Sequence, residues 1–338
     1  MAMLYPELAV TLIRLREVLN NIIEERRKNV VEELEKVEWT PLPESKPSYG
    51  YSVAAVDSSF VLIESRVFPI YVIQGISQVY VFDRDKIVAK AANRFYDAGV
   101  MEFEKKGPVR RSDLKKALTM YAYFLELKSM QSILKSYSAD VALFDGSFLS
   151  FMLTRKDIAK AVKLRSIEGE VKLEDVVNDK LDLIEKLVES FVTAFIAKSS
   201  FVNFYKLGYA DFQLFELAKI HGVKPHNEPG YSKPVDVSIT SDLLKFLGLK
   251  ATAIRGFLVT YTRFGKGSQV FQLSAPYVEK KPDITILVSC LRAFSPAGYP
   301  LPLETVHRLS KLSKKALKGF FSKIGVPTLS GREILEIS

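Results

Sequence analysis

A chain of 338 residues with 48% hydrophobic content can bury a sizeable core, either as one domain with a long insertion or as two domains. Its 48 Lys+Arg against 39 Asp+Glu leave a formal net charge of +9, which favours a polyanionic partner. The single cysteine, Cys290, excludes an intrachain disulfide framework and a thiolate zinc cluster, and it suits a reducing compartment.

Residues 7–38 are predicted as one long helix, because Leu8, Leu12, Leu15, Leu19, Ile22 and Ile23 recur at steps of three and four, continued by Val30, Leu34 and Val37. So narrow a stripe on so long a helix suits a partner or the protein's own body. Three prolines within residues 40–49 then make a stiff connector. Three strands follow, Tyr51–Val56, Val61–Ile73 with a bend at Pro69, and Ser77–Phe82, as an antiparallel meander. Residues 83–109 are polar and mixed. A helix runs from about Ser112, as N-cap, to about Tyr137. Asp140–Phe144 is a short buried strand ending at Asp145-Gly146.

Residues 150–250 read as mainly helical, with Leu181–Tyr205 at helical spacing and a Pro/Gly-rich surface excursion at 221–237 around His226. Strands return at Gly256–Arg263, Gln269–Leu273 and Ile284–Leu291, and a last helix spans about Leu303–Phe321. Strand-length runs such as Val67–Val72 and Ile284–Leu291 fall far short of the ~20 apolar residues that a membrane helix needs. The N-terminal Met-Ala-Met-Leu-Tyr-Pro-Glu passes directly into a charged helical pattern, unlike a signal peptide. The expected division is an N-terminal helix and connector (1–49), one α/β domain (50–321) with a mainly helical insertion at about 150–250, and a tail (322–338).

Two strands therefore deliver carboxylates at their ends, Asp57 after Ser-Val-Ala-Ala-Val and Asp145 after Val-Ala-Leu-Phe. Each could be an Asx-type turn cap. Side by side, they would repel unless a hard divalent cation lay between them, and oxygen donors suit Mg²⁺ or Mn²⁺. Glu126 sits on an apolar helical stripe with Ala122, Tyr123, Met130 and Ile133, as a third oxygen donor or as the partner of Arg110 or Arg111. His307 heads a basic run (Arg308, Lys311, Lys314, Lys315, Lys318) and could ligate metal, touch a phosphate, shuttle a proton or lie idle on a helix surface. Arg110, Arg111, Arg263, Lys266, Arg308 and Lys311 are candidate phosphate contacts. A Walker loop, a dinucleotide-binding glycine pattern and a Gly-x-Ser-x-Gly elbow are all missing from the sequence.

The order of these pieces resembles the ribonuclease-H-like nuclease plan: an α/β fold with a mixed sheet, flanking helices and a helical insertion. More narrowly it resembles the NurA family of DNA nucleases. The resemblance is carried by Ala55-Val56-Asp57-Ser58-Ser59, Leu125-Glu126-Leu127-Lys128, Leu143-Phe144-Asp145-Gly146-Ser147 and Gly298-Tyr299-Pro300 through His307. It implies that Asp57, Glu126 and Asp145 bind metal with His307 as fourth polar partner, and that Tyr299 is an accessory near the phosphate. It implies Mn²⁺ (or Mg²⁺), single-strand endonuclease and 5′-to-3′ exonuclease action in DNA end resection and recombinational repair. It also implies a homodimer, a HerA-like hexameric ATPase as partner, and a cytoplasmic, nucleoid-associated setting. The family usually places glycine after the first aspartate; Ser58 stands there instead, which puts only the local turn geometry in doubt. The rival readings are a ribonuclease-H-like enzyme acting on RNA, hybrid or junction substrates, and a catalytically silent DNA clamp or docking subunit.

Overall fold

Alternating apolar runs dominate the chain from residue 52 onward, and they assemble into a single broad mixed sheet. The computed structural model describes residues 6–42, 50–63, 68–84, 86–103 and 110–326. Helices α1 (Pro6–Glu25) and α2 (Arg27–Leu34) lead to the short strand β1 (Trp39–Pro41). A meander follows: β2 (Ser52–Ile63), β3 (Ile70–Asp83) and β4 (Lys86–Phe103). Helix α3 (Arg111–Ser136) leads to β5 (Val141–Asp145), then the short helices α4 (Phe148–Met152) and α5 (Lys156–Ala159). The hairpin β6 (Val162–Ser166) and β7 (Gly169–Lys172) precedes α6 (Leu173–Ser190) and β8 (Val192–Ala197). Next come α7 (Asp211–His221), β9 (Gly230–Ser232), β10 (Val235–Ser238) and α8 (Ser241–Leu247). The chain closes with β11 (Gly256–Arg263), β12 (Phe271–Tyr277), α9 (Ile284–Ala293), α10 (Leu301–Ser310) and α11 (Lys314–Lys323).

The strand order is β1-β9-β11-β12-β8-β5-β2-β3-β4-β6-β7, with β10 pairing onto β11. β2 pairs with β5, and β5 with β8, in parallel; their other neighbours run antiparallel. This open mixed sheet with flanking helices is the ribonuclease-H-like plan that the sequence led us to expect. Both faces of its centre are buried, which is why β2 and β5 read as apolar on both sides. Ala54, Val56, Ala142 and Phe144 pack with Leu127, Met130 and Ile133 of α3 and with Ile184 and Leu187 of α6. The alternate residues Val53, Ala55, Val141 and Leu143 pack under α9 and α10, through Leu287, Leu291, Leu303 and Val306.

Several expected elements change on folding. The predicted first helix breaks into α1 and α2, and only its second half is anchored: Val30, Leu34 and Val37 are buried, whereas Leu8, Leu12, Leu15 and Leu19 are exposed. Of the Pro-rich connector, Trp39–Pro41 forms an edge strand against β9, and residues 43–49 lie outside the described residues. Asp57 lies within a continuous 12-residue strand rather than at a strand end, because β3 pairs with β2 all the way from Ser52 to Ile63. The polar run after residue 83 is the 18-residue strand β4; it lies towards the open side of the sheet, where an alternating polar face is permitted. Ile284–Leu291 is a helix, not a strand: a short apolar run is ambiguous, and the Asp283 side chain caps it by accepting from the backbone of Thr285 and Ile286. The predicted helix from 181 to 205 ends at Ser190 and gives way to β8, a central strand of the sheet. The last helix is split at 311–313. Among the described residues, no helix is long and apolar enough to cross a membrane.

His226 ties α2 and β1 to this body. Its Nε2–H donates to the Val37 carbonyl at 2.9 Å, and its ring packs 5.6 Å from the Trp39 ring. Nδ1 is buried without a partner, and burial holds the imidazole below its usual pKa. The folded state therefore takes up a proton less readily than the unfolded chain. The stability this residue contributes is present above the unfolded value of about 6.5 and lost as pH falls through and below it. Thermal unfolding of wild type and His226→Leu between pH 7.5 and 5 checks this: the gap between the two midpoints should shift in favour of the variant on acidification. A gap independent of pH would refute it.

Candidate active site

Parallel pairing of β2 with β5 matches Val53 to Val141 and Val56 to Phe144, and one step further along both strands carry an aspartate, Asp57 and Asp145. Both have the parity of the residues beneath α10, so the two carboxylates stand together on that face. β5 ends at Asp145, and Gly146 turns the chain at φ +112°, a conformation that L side chains resist. Ser147 then caps α4 by accepting from the Ser150 backbone.

Helix α10 closes over this edge. Leu303 and Val306 seat it in the core, which leaves His307 on its outer turn with a side chain 57% exposed. His307 Nδ1 lies 2.8 Å from Asp57 Oδ2, and Ser310 Oγ donates to the same oxygen at 3.1 Å. The end of α10 is pinned in turn from the sheet: Ser59 Oγ and Gln74 Nε2 both donate to the Ser310 carbonyl, and the Leu312 backbone donates to Ser59 Oγ. Ser58, next along β2, donates to Glu126 Oε1. Glu126 is 4% exposed within α3. The alternative pairing of Glu126 with Arg110 or Arg111 fails on distance, since 15 helical residues separate Glu126 from Arg111, about 22 Å of helix.

Two further residues complete the cluster. Tyr299 follows Gly298, which sits at φ +82°, where an added Cβ would meet Ser268 Cβ at 2.5 Å. The Tyr299 ring packs on Phe271, and its buried hydroxyl lies near Asp145 without a hydrogen bond of good geometry. Lys198, one residue past the end of β8, places Nζ 2.7 Å from Asp145 Oδ2 and 4.7 Å from the centre of the Tyr299 ring. Sequence reading missed Lys198 because it assigned that stretch to a helix. The available signal was the short apolar run 192–197 with a charge directly after it, like the runs that precede Asp57 and Asp145.

Burial raises the Asp57 pKa above the usual carboxylate range, opposed by the His307 hydrogen bond and reinforced by the charge of Asp145. Burial likewise holds Glu126 well above its ordinary value, with the charge of Asp57 adding to it. Tyr299 is pushed up by burial and then by the charges of Asp145 and Asp57. Three carboxylates thus share one low-dielectric edge, which is unfavourable without a cation. Among the described residues, no three acidic or histidine side chains are drawn together as a ready metal cage. Each carboxylate instead leans on its own partner: His307 and Ser310, Ser58, or Lys198. The all-oxygen donor set, its mutual repulsion and the orphaned Tyr299 hydroxyl fit a hard divalent ion.

The expected phosphate contacts divide. Arg308 and Lys311 are exposed on and just beyond α10, beside His307, and Lys266 is exposed in the turn between β11 and β12. Arg110 and Arg111 are exposed at the far end of α3 from Glu126. Arg263 is a correction: it is 0% exposed and donates to the carbonyls of Ser268 and Phe215, because every residue of β11 is interior. It presents no surface to a phosphate.

A family profile described as the NurA domain matches residues 51–312. No curated protein matches the sequence. Among solved structures, the fold is similar to that of the NurA nuclease from Sulfolobus solfataricus, with TM-score 0.69 and 17% identity over 95% of this chain and 97% of that one. It is also similar to NurA with manganese, with TM-score 0.59 and 14% identity over 95% and 100% of the two chains. A NurA bound to dAMP and manganese gives TM-score 0.58 and 16% identity over 96% and 97%. At these identities the structural likeness is one of fold.

Proposed function

This chain belongs to the NurA family and is a metal-dependent nuclease, and on that premise we propose that it hydrolyses DNA phosphodiesters at the edge formed by Asp57, Glu126 and Asp145. The observation that carries the proposal is the placement of Asp57 and Asp145 on adjacent parallel strands, with Glu126 behind them. These three carboxylates would hold Mn²⁺ or Mg²⁺, with His307 as fourth polar partner. Structures of family members that contain manganese, one of them with dAMP, support that choice. Such an ion, when bound there, would supply an activated water and offset charge on the phosphate. His307, fixed through Nδ1 to Asp57, offers its other ring nitrogen to a phosphate oxygen or to the leaving oxygen. Tyr299 contributes a hydroxyl donor, and Lys198 a positive charge beside Asp145. Arg308, Lys311 and Lys266 guide the strand, with Arg110 and Arg111 as more distant contacts.

The finer reading is single-strand endonuclease and 5′-to-3′ exonuclease action in end resection, together with a HerA-like hexameric ATPase. The absence of a nucleotide-binding loop from the sequence supports a separate motor. Cleavage of matched DNA, RNA and hybrid oligonucleotides with Mn²⁺ tests the substrate class. DNA should be cut fastest; preference for RNA or hybrid, or salt-sensitive binding without any product, would defeat the reading.

The chain is proposed to act as a homodimer, with α1 at the interface. Leu12, Ile13, Leu15, Val18 and Leu19 are 45–62% exposed on that helix. Deleting residues 1–38 would tear Val30 and Leu34 out of the core, so point changes are the cleaner test. Leu12→Glu with Leu19→Glu should halve the mass measured by light scattering while leaving the fold intact. An unchanged dimer would exclude α1 from the interface.

A further inference from the structure

Beyond Asp145 and Lys198 the two parallel strands open into a second space. A cleft of about 250 Å³ lies at their carboxyl ends, lined by Ser147, Ser199, Phe204, Phe246, Phe257 and Gln272 among others. Crevices at this end of parallel strands are where α/β sheets receive ligands. Ser147 is two residues from Asp145, within about 7 Å along the chain, and Ser199 directly follows Lys198. Register places Gln272 opposite Ala197, on the face of the sheet that carries Phe195 and Phe257, whereas Asp145, opposite Ile196, points to the α10 face. The cleft and the carboxylates therefore flank the same carboxyl edge of the sheet from its two sides.

Its lining carries features that packing alone does not explain. Gln272, in β12, is 2% exposed, and its Oε1 has no hydrogen-bond partner. Buried amide oxygens are ordinarily satisfied, and an orphan costs roughly 1–3 kcal/mol. Phe246, on α8, is 68% exposed although Phe257 in the same lining is fully buried. An aromatic face at the rim and an unmet acceptor on the wall together call for a flat ligand that carries an N–H at its edge. The volume is below the ~300–1,000 Å³ usual for drug-sized ligands, so it suits one ring system rather than a whole nucleotide.

We propose that this cleft is a nucleobase subsite: it takes one base of a strand that crosses the carboxyl edge of the sheet, stacking it on Phe246 and accepting an N–H from it at Gln272 Oε1. All four bases carry at least one N–H on the Watson–Crick edge, so the subsite tolerates sequence while still requiring a base. Base–aromatic stacking has the same tolerance. A base held here carries its strand across the carboxyl edge of the sheet, on whose other side Asp145 stands. The inference rests on the nuclease reading above and extends it to how the strand is held.

The test uses single-stranded oligonucleotides carrying one abasic residue, stepped along the strand, with the full chain. Binding is measured by fluorescence anisotropy in EDTA, and cleavage separately with Mn²⁺. For wild type, one or two abasic positions should weaken binding on the order of tenfold and slow cleavage at a bond a fixed number of nucleotides away. Phe246→Ala, an exposed position, should bind intact DNA about as weakly as wild type binds the abasic strand, and should lose the dependence on those positions. Gln272→Met should show the same loss, which separates ligand contact from a folding defect in either variant alone. Uniform response of wild type to every abasic position, or full base dependence in Phe246→Ala, overturns the subsite. If wild type cleaves nothing yet keeps position-specific binding, the subsite stands and the nuclease reading falls. Cleavage without base dependence gives the reverse.

Discussion

Asp57→Ala protein is expected to lose Mn²⁺-dependent DNA cleavage by roughly a hundred- to a thousandfold or more, and Asp145→Ala equally. Losses of that order follow when a single group that stabilises transition-state charge is removed. In the proposed site the two aspartates are adjacent oxygen donors, so neither would substitute for the other. DNA affinity should change little if, as proposed, the exposed basic residues carry binding through salt-sensitive phosphate contacts. Removing Asp57 should also leave stability unchanged or raise it. Its carboxylate is held unfavourably by burial and by the charge of Asp145, and functional sites commonly carry such a cost. Cleavage rate, affinity and unfolding midpoint measured on one preparation distinguish these effects. Wild-type-like cleavage by either pure variant sinks the assignment, whereas a large drop in stability would mean that the loss of activity reports unfolding.

The second large effect is structural and lies on the opposite flank of the meander. Asp97 of β4 is 5% exposed and accepts hydrogen bonds from Tyr71 Oη at 3.0 Å, Tyr121 Oη at 2.9 Å and Ser166 Oγ at 2.5 Å. One carboxylate thus joins β3, α3 and β6. Burial, followed by the charge of Asp97, keeps both phenols far above their ordinary pKa, so they remain donors. Asp97→Ala leaves two buried hydroxyls without an acceptor, at ~1–3 kcal/mol each, and should destabilise the protein by about 3–5 kcal/mol. Tyr71→Phe removes one donor cleanly and should cost about 1 kcal/mol. Because Tyr121 shares α3 with Glu126, Asp97→Ala should also loosen the placement of Glu126 and lower cleavage. Denaturant unfolding of both variants checks the ranking, and a loss for Asp97→Ala no larger than that for Tyr71→Phe would refute it.

Legibility in the sequence followed the range of the interactions. Asp145 was readable because a short apolar run, an aspartate and a glycine are contiguous, and the turn they imply is local. Glu126 was readable as a carboxylate on an apolar helical stripe, a matter of helical period. Asp57 was picked out correctly as a residue but misplaced within its strand, because the extension of β2 to Ile63 depends on pairing with β3. Arg263 was misread because the alternation of one strand does not say whether its second face will be covered. Ile284–Leu291 was misread because a mostly apolar run of eight residues fits a strand and a helix equally well until the capping by Asp283 is seen.

By itself, the sequence determined the family, the mixed α/β class and the carboxylate-bearing segments, all of which rest on local pattern and contiguous motifs. Only the tertiary structure decided that Asp57 and Asp145 fall side by side on one face, since that follows from a parallel register between segments 88 residues apart. It alone brought Lys198 to Asp145 and Ser310 to Asp57. It alone sent Arg263 inward and left Gln272 with an unmet acceptor in a cleft on the other face of the sheet. The strand-borne aspartates are a property of the chain; their pairing, and the partners that hold them apart, belong to the fold, because a register between distant strands is fixed by the packing of whole faces rather than by any one residue.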